Sequence, residues 1–329
     1  MPPRPASGWP AALRLARDPR SITIHARDTW HPDILRGKFD FFEILTARAA
    51  AEGWTVQAMP GASRASRWLR RRGPGLHLLV ADRPAYGPRL LHALPGYVWG
   101  FWYLDEIGPN ADSSLRHAEF HPGLIDRAAA RHAFDGIAGH MLRKNVSRFP
   151  QAGRQALPQA AAALFCQDID DFRTSRPYLD TETMVETVVT ACAPDPVLIK
   201  LHPRQRPARA DRLRALADRH PNARITEASV HDISAAARVV VTQNSAAGFE
   251  ALLQEKPVIT CALTDYHHAT LVARSPDALR TALRQAPEHA AAFDHPAYVA
   301  WFLTRRLLEP QAPDFADRLW ARLMAKAAV

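Results

Sequence analysis

Cysteine is scarce. Cys166, Cys192 and Cys261 are the 3 in a chain of 329 residues; they fall in or near apolar segments and none sits at CxxC spacing. A disulfide framework is thereby excluded, and reduced core thiols of a cytosolic protein are expected. No run of about 18 apolar residues occurs, which excludes a spanning helix. The start, MPPRPASGWPAALRLARDPR, lacks the apolar core of a secretion signal. The expected location is therefore cytoplasmic, with peripheral contact at the inner face of the inner membrane left open. Walker, GxGxxG, HExxH, GxSxG and zinc-type spacings are absent, and the DYHH at 265–268 has no partners at metal-ligand intervals. Nucleotide hydrolysis, NAD chemistry and zinc proteolysis lose their usual signatures.

What is present is globular. Hydrophobic residues make up 47% and charged residues 23%, enough to bury a full core in two domains. Lys+Arg 42 against Asp+Glu 33 gives a net charge of +9. The arginines are scattered among alanine and proline, so charge alone argues only weakly for an anionic partner, and least for nucleic acid. The densest group is Arg64, Arg67, Arg70, Arg71 and Arg72 beside Trp68. A solvated helix face is its first reading; an acceptor-binding or anionic-membrane patch is the second.

Strand and helix signals alternate. SITIHA (21–26), TVQAM (55–59), LHLLVA (76–81) and the aromatic YVWGFWYL (97–104) read as strands, KFDFFEILTARAAAEG (38–53) as a helix, and a further helix is expected near 125–145. RFPQAGRQALPQA (148–160) breaks the periodicity and reads as a linker. Strands at 162–167, 196–202, 223–226, 239–242 and 258–260 follow, with helices at 181–193, 210–220, 231–237, 249–254 and 275–286 and two closing helices at about 296–308 and 314–326. The expected fold is α/β: two Rossmann-like lobes with parallel sheets and C-terminal closing helices. The expected domains are 1–155 and 156–329.

Three polar clusters directly follow strands of the second half: FCQDIDDF (165–172), IKLHPRQRP (199–207) and TQNSAAGFEAL (242–252). Ligands of doubly wound sheets bind at carboxyl ends of strands. His202 at such an end can donate to a phosphate, Pro203 stiffens the exit, and Lys200 and Arg204 can add charge. After Gln243 and Asn244, Ser245 falls at a helix N-cap, and the N–H groups of the turn from Ala246 make a cradle for an anionic oxygen. Gly248 allows close approach of a backbone or a ligand. The plainer reading is that Ser245 only caps and Gly248 only packs. Asp168, Asp170 and Asp171 read as one catalytic carboxylate, as a turn of solvated carboxylates or, least, as a metal site.

VLIKLHPR followed by QNSAAGFEALLQEKPVI resembles the capsule polysaccharide synthesis family, bacterial β-Kdo glycosyltransferases with a GT-B-like fold. The resemblance spans residues 100 to 260. It implies a retaining transfer of Kdo (3-deoxy-D-manno-oct-2-ulosonic acid) from CMP-Kdo to a glycan or glycolipid acceptor, with no cofactor and no metal in the transfer step. The family's glutamine-x-x-x-aspartate element is similar to Gln167 to Asp171, which nominates Asp171 as the nucleophile. YLDEIGPNADSS (103–114) is similar to the family's acidic first-lobe segment, nominating Glu106, Gly108, Asn110 and Ser113, with Glu106 or Asp105 as the base for the acceptor hydroxyl. Glu250 is expected to accept from a ribose hydroxyl or the cytosine amine, and Arg173, Arg204 or Arg206 to clamp the sugar carboxylate. CMP-sialic acid or a nucleoside diphosphate sugar as donor, and a non-catalytic nucleotide- or glycan-binding role in capsule assembly, remain the alternatives.

Overall fold

The computed structural model describes residues 1–171 and 176–328. Two six-stranded sheets lie in separate units, one of residues 1–96, 100–114 and 303–329, the other of residues 97–99 and 115–302.

In the first unit β1 (Arg4–Pro5), β2 (Ser21–Ala26), β3 (Thr55–Pro60), β4 (Leu76–Val80), β5 (Leu90–Pro95) and β6 (Trp102–Asp105) stand in the order β1-β3-β2-β4-β5-β6. Its helices are α1 (Gly8–Leu15), α2 (His31–Leu35), α3 (Asp40–Ala51) and α4 (Arg64–Arg72). All pairings are parallel except β5 with β6, which is antiparallel. The short 96–101 connection explains that exception, since a parallel return needs a crossover of a dozen or more residues. The aromatic strand expected over 97–104 is correspondingly confined to Trp102–Asp105.

The second unit holds α5 (Arg127–Lys144), β7 (Ala160–Phe165), α6 (Thr181–Cys192), β8 (Val197–Lys200), α7 (Pro207–Asp218), β9 (Ala223–Ile225), α8 (Val230–Ala236), β10 (Ala237–Thr242), α9 (Ala246–Leu252), β11 (Val258–Thr260), β12 (Leu271–Val272), α10 (Pro276–Ala292) and α11 (His295–Ala300). Strand order is β12-β11-β10-β7-β8-β9, every pairing parallel. The chain builds β7, β8 and β9 outward in one direction, then returns to lay β10 against the other side of β7. That reversal is the switch point at which doubly wound sheets bind ligands. The strands are near-continuous apolar runs because both faces are covered. Val185 and Val188 of α6, Leu213 of α7 and Leu279 of α10 share one core with Leu164, Ile199 and Val241 of the sheet.

The two Rossmann-like lobes are as expected. Their division differs from a single boundary at 155. Helix α5 packs against α11, so residues from 115 onward go with the second sheet. The closing helix α12 (Phe315–Ala327) packs on α3 and β4, and its Phe315, Leu319, Trp320 and Leu323 complete the core formed by Phe41, Leu45 and Trp102 in the first unit. Among the described residues no helix is long and apolar enough to cross a membrane.

Candidate functional site

The three expected polar loops follow β7, β8 and β10. With all pairings parallel and β7 between β8 and β10, they leave the same sheet edge side by side. Gln167 and Asn244 clasp across the switch point. The Asn244 N–H donates to Gln167 Oε1 at 2.9 Å, Gln167 Nε2 donates to Asn244 Oδ1 at 3.2 Å, and Asn244 Nδ2 donates to the Leu263 carbonyl at 2.9 Å. Gln243 is fully buried, its Nε2 donating to Asp170 Oδ1 at 2.7 Å and to the Leu179 carbonyl at 2.9 Å. Thr181, at the start of α6, donates its hydroxyl to the Gln167 carbonyl at 3.0 Å.

The acidic run is an ion-paired array. Asp168 accepts the backbone N–H of Arg206 at 2.9 Å and its Nε and Nη2 at 2.7 and 2.6 Å. Asp170 accepts Arg209 Nη1 at 2.6 Å. Asp171 accepts Arg206 Nη2 and Arg209 Nη2, each at 2.8 Å. Arg206 is the N-cap residue of α7 and Arg209 lies in its first turn, so one helix start delivers both guanidiniums. The Arg206 hydrogen bonds hold Asp168 down at about 2 and lower Asp171 as well. Side-chain exposure separates the three: 9% for Asp168, 15% for Asp170 and 58% for Asp171. Of the three, Asp171 is the exposed one. Among the described residues no three His, Cys, Asp or Glu side chains are placed to hold a metal ion.

Beyond β8, the His202 ring stands edge-on to Phe149 at 5.4 Å, and its Nδ1 accepts the Arg204 N–H at 3.1 Å. The ring proton is therefore on Nε2. Burial pushes its pKa down, and the charges of Arg204 and Arg148 push the same way against the opposing Asp168 carboxylate, so His202 is a neutral Nε2–H donor at pH 7. Arg204 lies over the Phe149 ring at 5.1 Å. Lys200 turns aside, donating to the carbonyls of Glu227 and Ala228 at 3.2 and 2.8 Å. The Arg206 guanidinium is occupied by Asp168 and Asp171, and Arg173 lies outside the described residues.

Ser245 caps α9, its Oγ accepting the Ala247 N–H at 3.2 Å, while its carbonyl accepts the Tyr266 hydroxyl at 2.8 Å. Ala246 is the first residue of α9. A Cβ on Gly248 would lie 2.8 Å from both Thr242 Cγ2 and the Tyr266 hydroxyl, so its bareness serves helix-on-sheet packing. Glu250 is 2% exposed and turned inward, its Oε1 accepting the Ser147 hydroxyl at 2.8 Å and its Oε2 without a partner. Burial raises it to about 8, leaving it uncharged at neutral pH. In this position it anchors segment 147–148 rather than facing a ligand.

In the first unit, Asp105 is committed to its own loop. Its Oδ1 accepts the N–H groups of Ile107 and Gly108 at 2.8 and 3.0 Å, and its Oδ2 accepts the N–H and hydroxyl of Ser114 at 2.9 and 2.7 Å. A buried carboxylate so fully bonded is a loop staple, its oxygens occupied by its own loop. Glu106 is half exposed and pairs with Lys326 Nζ at 3.2 Å. Gly108 packs where a Cβ would meet Asp112, Asn110 adopts a left-handed φ of 54, and Ser113 is buried.

Two features were not visible in the sequence reading. Arg209 repeats Arg206 one helical turn on, a spacing that becomes meaningful once Pro207 is taken as the first helical residue. Arg148 and Phe149 sat inside the stretch 148–160 read as linker, with Ser147 just before it. That stretch is fixed to the second unit: His231 Nε2 bonds the Val146 carbonyl at 2.8 Å, the Val230 N–H bonds Gln151 Oε1 at 2.9 Å, and Arg154 Nε bonds Asp232 at 2.6 Å.

The family model described as capsule polysaccharide biosynthesis protein matches residues 171–306, less than half of the chain, and bears out the resemblance over that stretch. Similar solved structures include two of Thermosulfurimonas dismutans KpsC. The β-Kdo 2,7 transferase is 17% identical, with a TM-score of 0.46, covering 80% of this chain and 89% of that one. The β-Kdo 2,4 transferase is 14% identical, with a TM-score of 0.47, covering 81% and 91%. The UDP-GlcNAc 2-epimerase of Methanocaldococcus jannaschii in complex with UDP-GlcNAc and UDP is 8% identical, with a TM-score of 0.39, covering 93% and 99%. No curated protein matches the sequence.

Proposed function

We propose that this chain is a glycosyltransferase of capsule or surface polysaccharide synthesis, moving Kdo or a related ulosonic acid from its CMP donor to a glycan or glycolipid acceptor. The observation that supports it is a donor-rich sheet edge at the switch point. There a neutral imidazole offers Nε2–H, and Arg148 and Arg204 are exposed cations close enough to depress it. A departing nucleoside monophosphate needs such donors, which strengthen as negative charge develops on the leaving oxygen. His202, Arg148 and Arg204 take that phosphate, and the turn at Ser245 and Ala246 opens on the same sheet edge. The Gln167–Asn244 clasp and buried Gln243 hold the loops in place.

Asp171 is the proposed nucleophile. Both of its oxygens accept arginine N–H groups, yet each keeps a second lone pair, and the paired charges keep it ionised for attack on the anomeric carbon. The CMP oxygen leaves with the bonding electrons. The acceptor hydroxyl then displaces the carboxylate, its proton going to a general base or to water. The transfer step as proposed uses no cofactor and no metal.

Purified protein is tested with CMP-Kdo, CMP-sialic acid and nucleoside diphosphate sugars on a synthetic lipid-linked acceptor, following nucleotide release and product mass. CMP release and a Kdo-sized mass increment are expected with CMP-Kdo. His202→Ala and Arg148→Ala should each slow turnover about 100-fold, the cost of one lost oxyanion donor, and Asp171→Ala should abolish it. Turnover with another donor alone would reassign the substrate; wild-type rates in both Asp171→Ala and His202→Ala would end the enzyme reading.

A further inference from the structure

Helix α4 carries no acidic residue and turns one face outward. Ala65, Ser66 and Leu69 are buried, while Arg64, Arg67, Arg71 and Arg72 are exposed and Trp68 is half-buried. Those outward positions are spaced i, i+3, i+4, i+7 and i+8, one continuous stripe of the helix. Arg70 alone points elsewhere, its Nη1 on Asp82 at 2.7 Å and its Nη2 on the Gly61 carbonyl at 3.1 Å. Among the described residues, Arg64, Arg67, Arg71 and Arg72 make no ion pair with a carboxylate.

Beside it lies α1, which also has no acidic residue. Ala11, Ala12 and Leu15 join Ala65 and Leu69 of α4 in a small core of their own, a firm platform under both helices. On the outer side, Trp9 is 47% and Leu13 50% exposed, one turn apart. The Trp9 ring meets Trp68 edge-on at 5.6 Å, which joins the apolar strip of α1 to the arginine stripe of α4. Exposed Arg4, Arg14 and Arg17 extend the cationic rim.

We propose that this α1–α4 face is a docking surface for a bilayer rich in anionic phospholipid. Unpaired guanidiniums match a layer of phosphate headgroups, and indole rings favour the boundary between headgroup and acyl chain. Leu13 decides between a membrane and a soluble polyanion. An exposed aliphatic side chain gains nothing from a hydrated polymer or a stacked base, whereas it gains burial at an acyl boundary.

The test is co-sedimentation of the full chain with vesicles of phosphatidylcholine alone and of phosphatidylcholine with about 30% phosphatidylglycerol. The anionic vesicles should bind at least about tenfold more tightly. An arginine near such a surface contributes about fivefold, so Arg64→Glu, Arg67→Glu and Arg71→Glu together should weaken binding at least about 100-fold. Trp9→Ser with Leu13→Ser should weaken it about tenfold with all charges kept. Circular dichroism verifies the fold, and the milder pair Arg67→Gln and Arg71→Gln replaces any variant that fails to fold. Equal binding to both vesicle types, no binding to either, or wild-type binding by either variant set overturns the proposal. So does heparin binding that matches vesicle binding and ignores Trp9 and Leu13.

Discussion

Glu250 offers a sharp test of how the second unit is assembled. It is buried on α9 with one oxygen on Ser147 and the other unpartnered, and its pKa is raised from the ordinary 4.5 to about 8. Desolvation is the first cause, so the folded state holds the carboxyl proton more tightly than the unfolded chain does. Stability from this group is complete below pH 4.5 and is lost as pH rises toward about 8. At about 1.36 kcal/mol per pH unit, the whole window is worth roughly 5 kcal/mol. Glu250→Gln keeps the shape and removes the titration. In urea unfolding followed by circular dichroism, the variant-minus-wild-type stability should widen by about 3 kcal/mol between about pH 5 and pH 8. Taking the difference cancels every other titrating group. A difference flat to within about 1 kcal/mol, or a variant less stable at every pH, would refute the argument that burial rather than Arg148 sets the protonation of this carboxyl.

Two further outcomes follow from the packing. Gly248→Ala places a methyl 2.8 Å from Thr242 Cγ2 and the Tyr266 hydroxyl, and should lower unfolding free energy by about 1–3 kcal/mol; an unchanged urea midpoint would contradict the contact. In the first unit, His25 bonds Ser66 Oγ at 2.7 Å through Nδ1 and His77 Nδ1 at 3.1 Å through Nε2, all three side chains being buried. Burial depresses His77 from 6.5 to about 4. Its neutral form is favoured on folding, so this contribution is present above pH 6.5 and is lost as pH falls toward about 4, by roughly 3 kcal/mol. His77→Gln should flatten that acid limb, and an unaltered limb in the variant would disprove the assignment.

The sequence reads well where local signals and tertiary packing agree. The buried β-branched run VVVT and the cap at Ser245 located a strand and a helix start directly. The strand-end rule alone puts Gln167, His202 and Gln243 on one sheet edge. Strand β5 escaped because LLHALP, with its proline and histidine, carries no alternation. The antiparallel turn of β6 depends on the length of one loop. At the site, composition marked 148–160 as linker because proline and small polar residues break helical and strand periodicity alike. Its anchoring by Gln151 and Arg154 is made by single side-chain bonds, which leave no periodic trace. The same limit hid the split of the acidic run, since adjacent aspartates differ only in which arginine reaches them.

Helix α12 has a consequence for biogenesis. Phe315, Leu319, Trp320 and Leu323 fill the core between α3 and the first sheet, so that core cannot close until residues past 320 have left the ribosome. The second unit draws only on residues 97–302 and can condense while translation continues. The amino-terminal sheet, although made first, should finish last, leaving nascent β2 to β6 to depend on chaperones until the closing helix arrives.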